Sequence, residues 1–458
     1  MLFQSRDAKP ETQSDETVIG IGVRVIVDGA WGFASSPDLS AETAKRLANT
    51  AVSMAKTSKP LSTELVSLAH EPAYPNKSWV SSYEIDPFSV SDAERKDRLA
   101  SLSSKLLAAS SVNHTSAMMM YVKEQKHYAD SNGTSTTQQR VRIQTQIEAI
   151  SIGEHGFESM RTLAQPAGYG WEWMGNSIWN WDKEIEELPT LLAEKVKSPS
   201  VEPGRYDLLI HPSNLWLTIH ESIGHATELD RAMGYEANYA GTSFATPEKL
   251  GNLKYGSKLM NVTGDRLTEH GLSTVGWDDE GVAAQRWDIV KDGVLVGYQL
   301  DRRIAARVNQ ERSNGCAFAD SPAHVPIQRM PNVSLQPNPN GPELKDLIAS
   351  VEDGIYILGD KSWSIDMQRY NFQFTGQQFH RIKNGKLAGQ LKDVAYQATT
   401  TDFWGAMKAV GGPSTYVLGG AFNCGKAQPG QVAAVSHGCP AAVFDKINIL
   451  NTVAEAGK

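Results

Sequence analysis

His220-Glu221-Ser222-Ile223-Gly224-His225 sets two imidazoles five residues apart, with a carboxylate beside the first. Neutral imidazoles ligate borderline-soft divalent ions, and a neighbouring carboxylate can take a proton from metal-bound water, so these residue types point to metal-assisted hydrolysis. The familiar zinc-protease helix spaces its histidines four apart, about 40° round the helix axis, whereas an interval of five opens that angle to about 140°. Imidazoles so spaced meet at one ion only where the helix widens locally, as in a π-bulge. Gly224 is the residue in the interval where such a distortion costs least. The competing reading is a regular helix whose His220 and His225 are merely hydrogen-bonded in a polar cleft.

Two histidines do not complete a ligand set, because a catalytic zinc takes three protein ligands and keeps one position for water. Glu228, Asp230, Cys424, Cys439 and His437 are the chemically competent candidates for the third. Glu228 and Asp230 lie just downstream, where some zinc proteases place a ligand. Cys424 and Cys439 sit in the glycine-rich stretches 419–426 and 436–440, which read as loops or bulges able to present a thiolate. Cys316, between Gly315 and Ala317, reads as a small buried hydrophobe.

The elements that must position these residues are spread over 458 residues, too many for one ordinary domain. A composition of 40% hydrophobic and 21% charged residues is that of a globular protein, and no apolar stretch is long enough to span a membrane. The net charge of −8 argues against a nucleic-acid surface. Three cysteines and a polar start, Met1–Glu16, without the pattern of a signal peptide point to a reducing, cytoplasmic setting.

Val18–Val27, Asp28-Gly29 and Ala30–Phe33 read as a hairpin. Ser40 and the Ser91–Glu94 capping box open helices that carry Leu47 and Leu99, Leu102, Leu106. Ala117–Ala129 and Thr134–Ile152 read as long strands around a turn at Ser131-Asn132-Gly133, with Val141, Ile143, Thr145, Ile147 and Ala149 on one face. The tryptophans of 171–181 read as core, and Asp182–Val196 as a helix. Ser198–Gly204, with two prolines, reads as a linker, and Pro212 as the first turn of the helix bearing the histidines. Beyond lie strand patterns and three short helical stretches, at Leu300–Arg307, Glu343–Val351 and around Thr401–Ala409. The expected fold class is α+β: an N-terminal α/β domain of hairpins and helices over 1–197, and a C-terminal strand-rich domain over 205–458 that carries the metal-binding helix.

Gly22-Val-Arg-Val-Ile with Gly29-Ala-Trp-Gly-Phe-Ala-Ser35, the His220–Ala226 motif, Asp278-Asp-Glu-Gly281, Gly354-Ile-Tyr356, Gly385-Lys386 and Cys424-Gly-Lys426, in this order, resemble the TldD/PmbA family of zinc peptidases from about residue 18 onward. The resemblance implies His220, His225 and Cys424 as ligands of one Zn²⁺ per chain and Glu221 as the catalytic glutamate, since the PmbA-type partner lacks the motif and this chain resembles the TldD-type subunit. It implies an α+β fold whose largely β C-terminal portion encloses the site in a dimer. The implied function is hydrolysis of short or unfolded peptides through metal-bound water with Glu221 as general base. The alternative is a non-catalytic, metal-containing assembly or peptide-binding subunit. Implied partners are a peptide substrate and a second subunit, as a homodimer or with a PmbA-type chain, and neither nucleic acid nor membrane. The DNA-topology role historically attached to the family by name fits poorly with the acidic charge. Two departures stand out: the family carries a longer segment before Gly22-Val-Arg-Val, so its first element is expected to be missing here, and the tail 435–442 is less glycine-rich than the family's. His437 in that tail is a candidate oxyanion donor.

Overall fold

The computed structural model describes residues 1–154, 156–427 and 429–454, and it begins with a hairpin that the polar start of the chain does not announce. β1 (Leu2–Arg6) and β2 (Lys9–Ser14) pair antiparallel, with only Phe3 and Ser5 of β1 turned inward. β3 (Ile21–Val27) and β4 (Ala30–Ser36) join at Asp28-Gly29, both at positive φ as a type I′ turn requires. α1 (Ala41–Ser58), capped by the Ser40 hydroxyl, lays Leu47 and Ala51 against Ile21, Val23 and Val25.

β5 (Lys77–Val80), α2 (Asp92–Leu107), β6 (His114–Ala129), β7 (Ser135–Gly153), β8 (Gly156–Arg161) and α3 (Trp181–Lys197) complete the N-terminal half. The sheet runs β2-β1-β6-β7-β5, with β8 also on β7. Thus β1 is a strand because β6 supplies its second partner, a tertiary cause that local pattern does not carry. Ile143, Ile147 and Ala149 alternate inward on β7 and meet Leu99, Leu102 and Leu106 of α2 and Ile185, Leu188 and Leu192 of α3. Trp173 and Trp181 are part of that core.

The C-terminal half is strand-rich, as expected. β9 (Gly204–Ile210) leads into α4 (Pro212–Ile219). β10 (Val262–Asp265), β11 (Arg286–Lys291), β12 (Val294–Leu295), β13 (Ala317–Phe318), β14 (Ile327–Gln328) and β15 (Asn332–Leu335) follow. β16 (Asp353–Ile365), β17 (Asn371–Lys383), β18 (Lys386–Leu391), β19 (Val394–Thr399), β20 (Met407–Val410), β21 (Val417–Lys426), β22 (Gln431–Cys439) and β23 (Ala442–Asn451) end the fold. The order β16-β9-β23-β19-β17 returns to its start because β17 also pairs with β16, which closes these strands into a barrel. β12-β11-β10-β15 form a smaller sheet, and β21 with β22 a ribbon. Two expectations change. The helix read around Thr401–Ala409 stops at Gly405, and Met407 onward is β20, paired with β23. The cysteine stretches read as loops are strands, with a register shift between Ala421 and Cys424 as the bulge.

α4 is buried on every side, its polar Ser213, Asn214 and Thr218 included. Its polar Asn214 is anchored to the barrel: Nδ2 donates to Gly359 O and Thr375 O, each at 2.9 Å, and the Tyr396 hydroxyl donates to Oδ1 at 2.8 Å. His211 caps the helix, its Nδ1 accepting from Ser213 N. At the other end the helix widens into a π turn over His220–Gly224, closed by His225 N–H donating to His220 O, and a 3₁₀ turn follows over His225–Thr227. Gly224 itself lies at φ −52°, ψ −62°, which any residue adopts. Its reason is space: a Cβ there would stand 2.6 Å from Met330 Sδ and 2.9 Å from Met330 Cε.

Gly224→Ala is therefore expected to lower stability by about 1–3 kcal/mol through overpacking, and to cost less in a Met330→Ala background, where the clashing atoms are gone; thermal unfolding of the single and double variants checks both. Burial pushes the His211 imidazole from 6.5 down to about 4. Between those values the unfolded chain binds a proton that the folded chain refuses, so the stability present above pH 6.5 is lost as pH falls towards 4. His211→Asn keeps a capping acceptor without titrating, and should remove about 3 kcal/mol of that acid-side decline in a denaturant series across this window.

Candidate metal centre

The π turn decides which way the second imidazole faces. By absorbing one extra residue it returns His225 to the side of His220, and the ring centroids lie 4.7 Å apart. Cys424, next to the bulge in β21, approaches the same point: its Sγ is 3.7 Å from His225 Nε2. Among the described residues, His220, His225 and Cys424 form a group whose ligand atoms all lie within 4.8 Å of one another, and all three are buried.

The hydrogen bonds behind the rings fix the tautomers. Val333 O can only accept, so His437 Nδ1 carries a hydrogen and donates to it at 2.8 Å, which leaves His437 Nε2 as an acceptor. His220 Nδ1–H donates to that nitrogen at 2.7 Å, and the lone pair of His220 Nε2 is left free. His225 Nδ1–H donates to Glu228 Oε2 at 2.8 Å, which frees its Nε2 in the same way. Burial holds the His220 and His437 imidazoles below their ordinary values. Burial pushes the Cys424 thiol up, but His225 and Arg329 outweigh it and leave the thiol below its ordinary value. Metal-binding histidines characteristically spend their second nitrogen on such partners. The 3.7 Å between Cys424 Sγ and His225 Nε2 is also close to the separation of about 3.6 Å that a tetrahedral zinc would impose on a sulfur and a nitrogen ligand. The donor set therefore fits a divalent metal ion.

Glu221 is 5% exposed, and its Oε2 accepts from Arg369 Nη1 at 2.7 Å. Burial works to raise this carboxyl, but His225, His220 and Arg369 hold it below its ordinary value. Arg369 lies in the turn between β16 and β17 at φ 61°, an uncommon conformation for a residue with a Cβ. Asp366 builds that turn, accepting from the backbone N–H groups of Gln368, Tyr370 and Asn371.

The other ligand candidates stand elsewhere. Glu228 is occupied by His225, and Asp230 by Lys426. Cys439 Sγ lies 3.7 Å from Pro212 O, with its thiol pushed well up by burial. Cys316 is fully buried and its thiol pushed up to about 12. His437 is not placed as an oxyanion donor, since both its ring nitrogens are engaged. Sequence reading missed its role behind His220, and missed Arg369, which no motif spacing ties to Glu221. The role of Glu228 was readable, one turn beyond His225.

The PmbA/TldA metallopeptidase C-terminal domain matches residues 203–451, and domain 1 of the same family matches residues 3–55. The chain is 26% identical over 409 residues to a metalloprotease of Methanocaldococcus jannaschii, covering 88% of this chain and 86% of that protein. It is 23% identical over 298 residues to the zinc metalloprotease TldD homolog of Saccharolobus solfataricus, covering 65% and 62%. TldE from Thermococcus kodakarensis shares the fold, with a TM-score of 0.72 over 98% of this chain and 93% of that one at 15% identity. With its C-terminal domain match alone spanning more than half of its length, the chain belongs to the PmbA/TldA (TldD/PmbA) metallopeptidase family.

Proposed function

We propose that this chain is the catalytic, TldD-type subunit of a TldD/PmbA assembly, a zinc peptidase that hydrolyses short or unfolded peptides. The observation that carries the reading is the convergence of ligand atoms from His220, His225 and Cys424, with the Nδ1 atoms of both histidines already engaged behind them. Three ligands leave a position open, as a catalytic site requires. Two imidazoles and a thiol suit zinc, and the Saccharolobus relative is named for that metal. When bound, the ion supplies a Lewis acid that lowers the pKa of water.

The chain's own residues do the rest. His437 and Glu228 hold the two imidazoles in the tautomers that present Nε2. Arg369 occupies Glu221 Oε2 and keeps the carboxylate ionised, so Oε1 remains to accept the proton of the attacking water and return it to the leaving amine. β21 pairs with β22 along one edge, and an extended peptide added to the other would lie beside Cys424 and be bound mainly through its backbone. Such binding suits unfolded substrates. We further infer a cytoplasmic protein that pairs with a second copy or with a PmbA-type chain; no helix among the described residues is long and apolar enough to cross a membrane.

The Glu221–Arg369 ion pair favours one second reading, a non-catalytic peptide-binding subunit that keeps a metal, because a carboxylate pinned by a guanidinium is a weakened base.

Elemental analysis of the purified chain is expected to find one zinc per chain, lost in His225→Ala and Cys424→Ser; a full complement of zinc in Cys424→Ser would remove the thiolate from the ligand set. Glu221→Gln is expected to keep its zinc and to lose about 10²–10⁴-fold in kcat on unstructured peptides. Equal cleavage by wild type and Glu221→Gln, measured alone and with a PmbA-type chain added, would assign the protein to the second reading.

A further inference from the structure

Lys426 is buried two residues beyond Cys424, and the strand period of two puts its side chain on the same face as the thiol. Its ammonium donates to Glu228 Oε1 at 3.1 Å and Asp230 Oδ1 at 2.9 Å, and lies 3.2 Å from Glu236 Oε1. Glu228 is the carboxylate that takes the Nδ1 hydrogen of His225 on its other oxygen. One face of β21 thus reaches both ends of the same imidazole, the thiol beside Nε2 and the ammonium through Glu228 to Nδ1. Arg231 completes the network, with Nε 3.2 Å from Glu228 Oε2 and Nη2 3.0 Å from Glu236 Oε2.

Stability does not explain this arrangement. Three carboxylates and two cations are all buried, and a buried ion-pair network is often no more stable than apolar residues of the same volume. What it supplies is geometry. β21 has β22 as its sole strand partner among the described residues, and Arg329 ties that ribbon down through the Cys424 and Gln431 carbonyls without reaching His225. The contact from β21 to the carboxylate that orients the histidine is made by Lys426.

We infer that Lys426 is a positioning residue of the metal centre, fixing the Cys424 strand to the carboxylate that orients His225; the inference rests on the zinc reading above. The test is a double-mutant cycle of Lys426→Met and Glu228→Gln, read as Zn²⁺ affinity by competition with a chelator, as the thiolate-to-metal absorption of the Co²⁺ form, and as the unfolding temperature of the metal-free proteins. Each single variant is expected to bind zinc about 10–100-fold more weakly, as outer-shell changes typically do. The Co²⁺ band should shift in Lys426→Met. The double variant should be little worse than the weaker single, because both break one linkage. Additive losses overturn the inference, and so does a lowered metal-free unfolding temperature with zinc affinity and the Co²⁺ band unchanged. Should Lys426→Met fail to fold, the cycle is run with Lys426→Gln, which removes the ammonium that reaches Glu228, to the same criteria. Wild-type protein that binds no zinc overturns the zinc reading itself, an outcome separable from the others because it needs no variant.

Discussion

The backbone hydrogen bond from His225 N–H to His220 O is the constraint on which the site depends. A regular helix would bond that N–H to Glu221 O and swing the second imidazole about 140° from the first. Spending one more residue on the turn brings the rings to the same side, and the surroundings make the wider turn tolerable. α4 is enclosed on every side and anchored through Asn214, so the distortion falls at the end of a fixed helix and does not spread along it. Gln299 donates to Gly224 O at 2.5 Å and to Thr227 Oγ1 at 2.8 Å, which satisfies a carbonyl on the far side of the turn.

From that constraint the rest of the centre follows as a problem of aiming nitrogen lone pairs. Each imidazole presents Nε2 only while its Nδ1 is occupied, and the occupants come from different parts of the chain. Glu228 is local, three residues past His225. His437 belongs to β22 and is itself fixed by Val333 of β15, so the tautomer of His220 is set by a relay through two strands more than a hundred residues away. Gly224 is small for the same reason: Met330, just before β15, fills the space where its Cβ would lie.

How much of this was legible depends on whether the cause was local. The Asp28-Gly29 and Ser131–Gly133 turns, the Ser40 and Ser91 caps and the alternation of β7 are short-range, and they appear where the sequence puts them. The π turn was legible too, because a five-residue interval between two histidines that must meet leaves few other geometries. β1 and β2 were not, since β1 owes its state to β6. Nor was β20, whose residues carry a helical pattern overridden by pairing with β23. In the site, residue types and spacing named the candidate ligands but left the third among five. Arg369 had no signal at all, because its place opposite Glu221 is made by the Asp366 turn at the far end of a barrel strand.

The two glutamates of the histidine segment show what these distant cations do. A carboxylate beside a divalent ion competes to become a ligand, and a fourth protein ligand would close the position that a catalytic zinc keeps for water. Glu221 has Arg369 on Oε2, and Glu228 has His225 and Arg231 on one oxygen and Lys426 on the other. Each is held by charge-assisted hydrogen bonds in a buried setting, where breaking one to reach the metal would strand a cation without its partner, typically at a cost of about 3–5 kcal/mol. On the proposed reading, the ion pairs that weaken Glu221 as a base are also what keep the ligand number at three. A site tuned only for basicity would omit Arg369, and would risk binding its own general base.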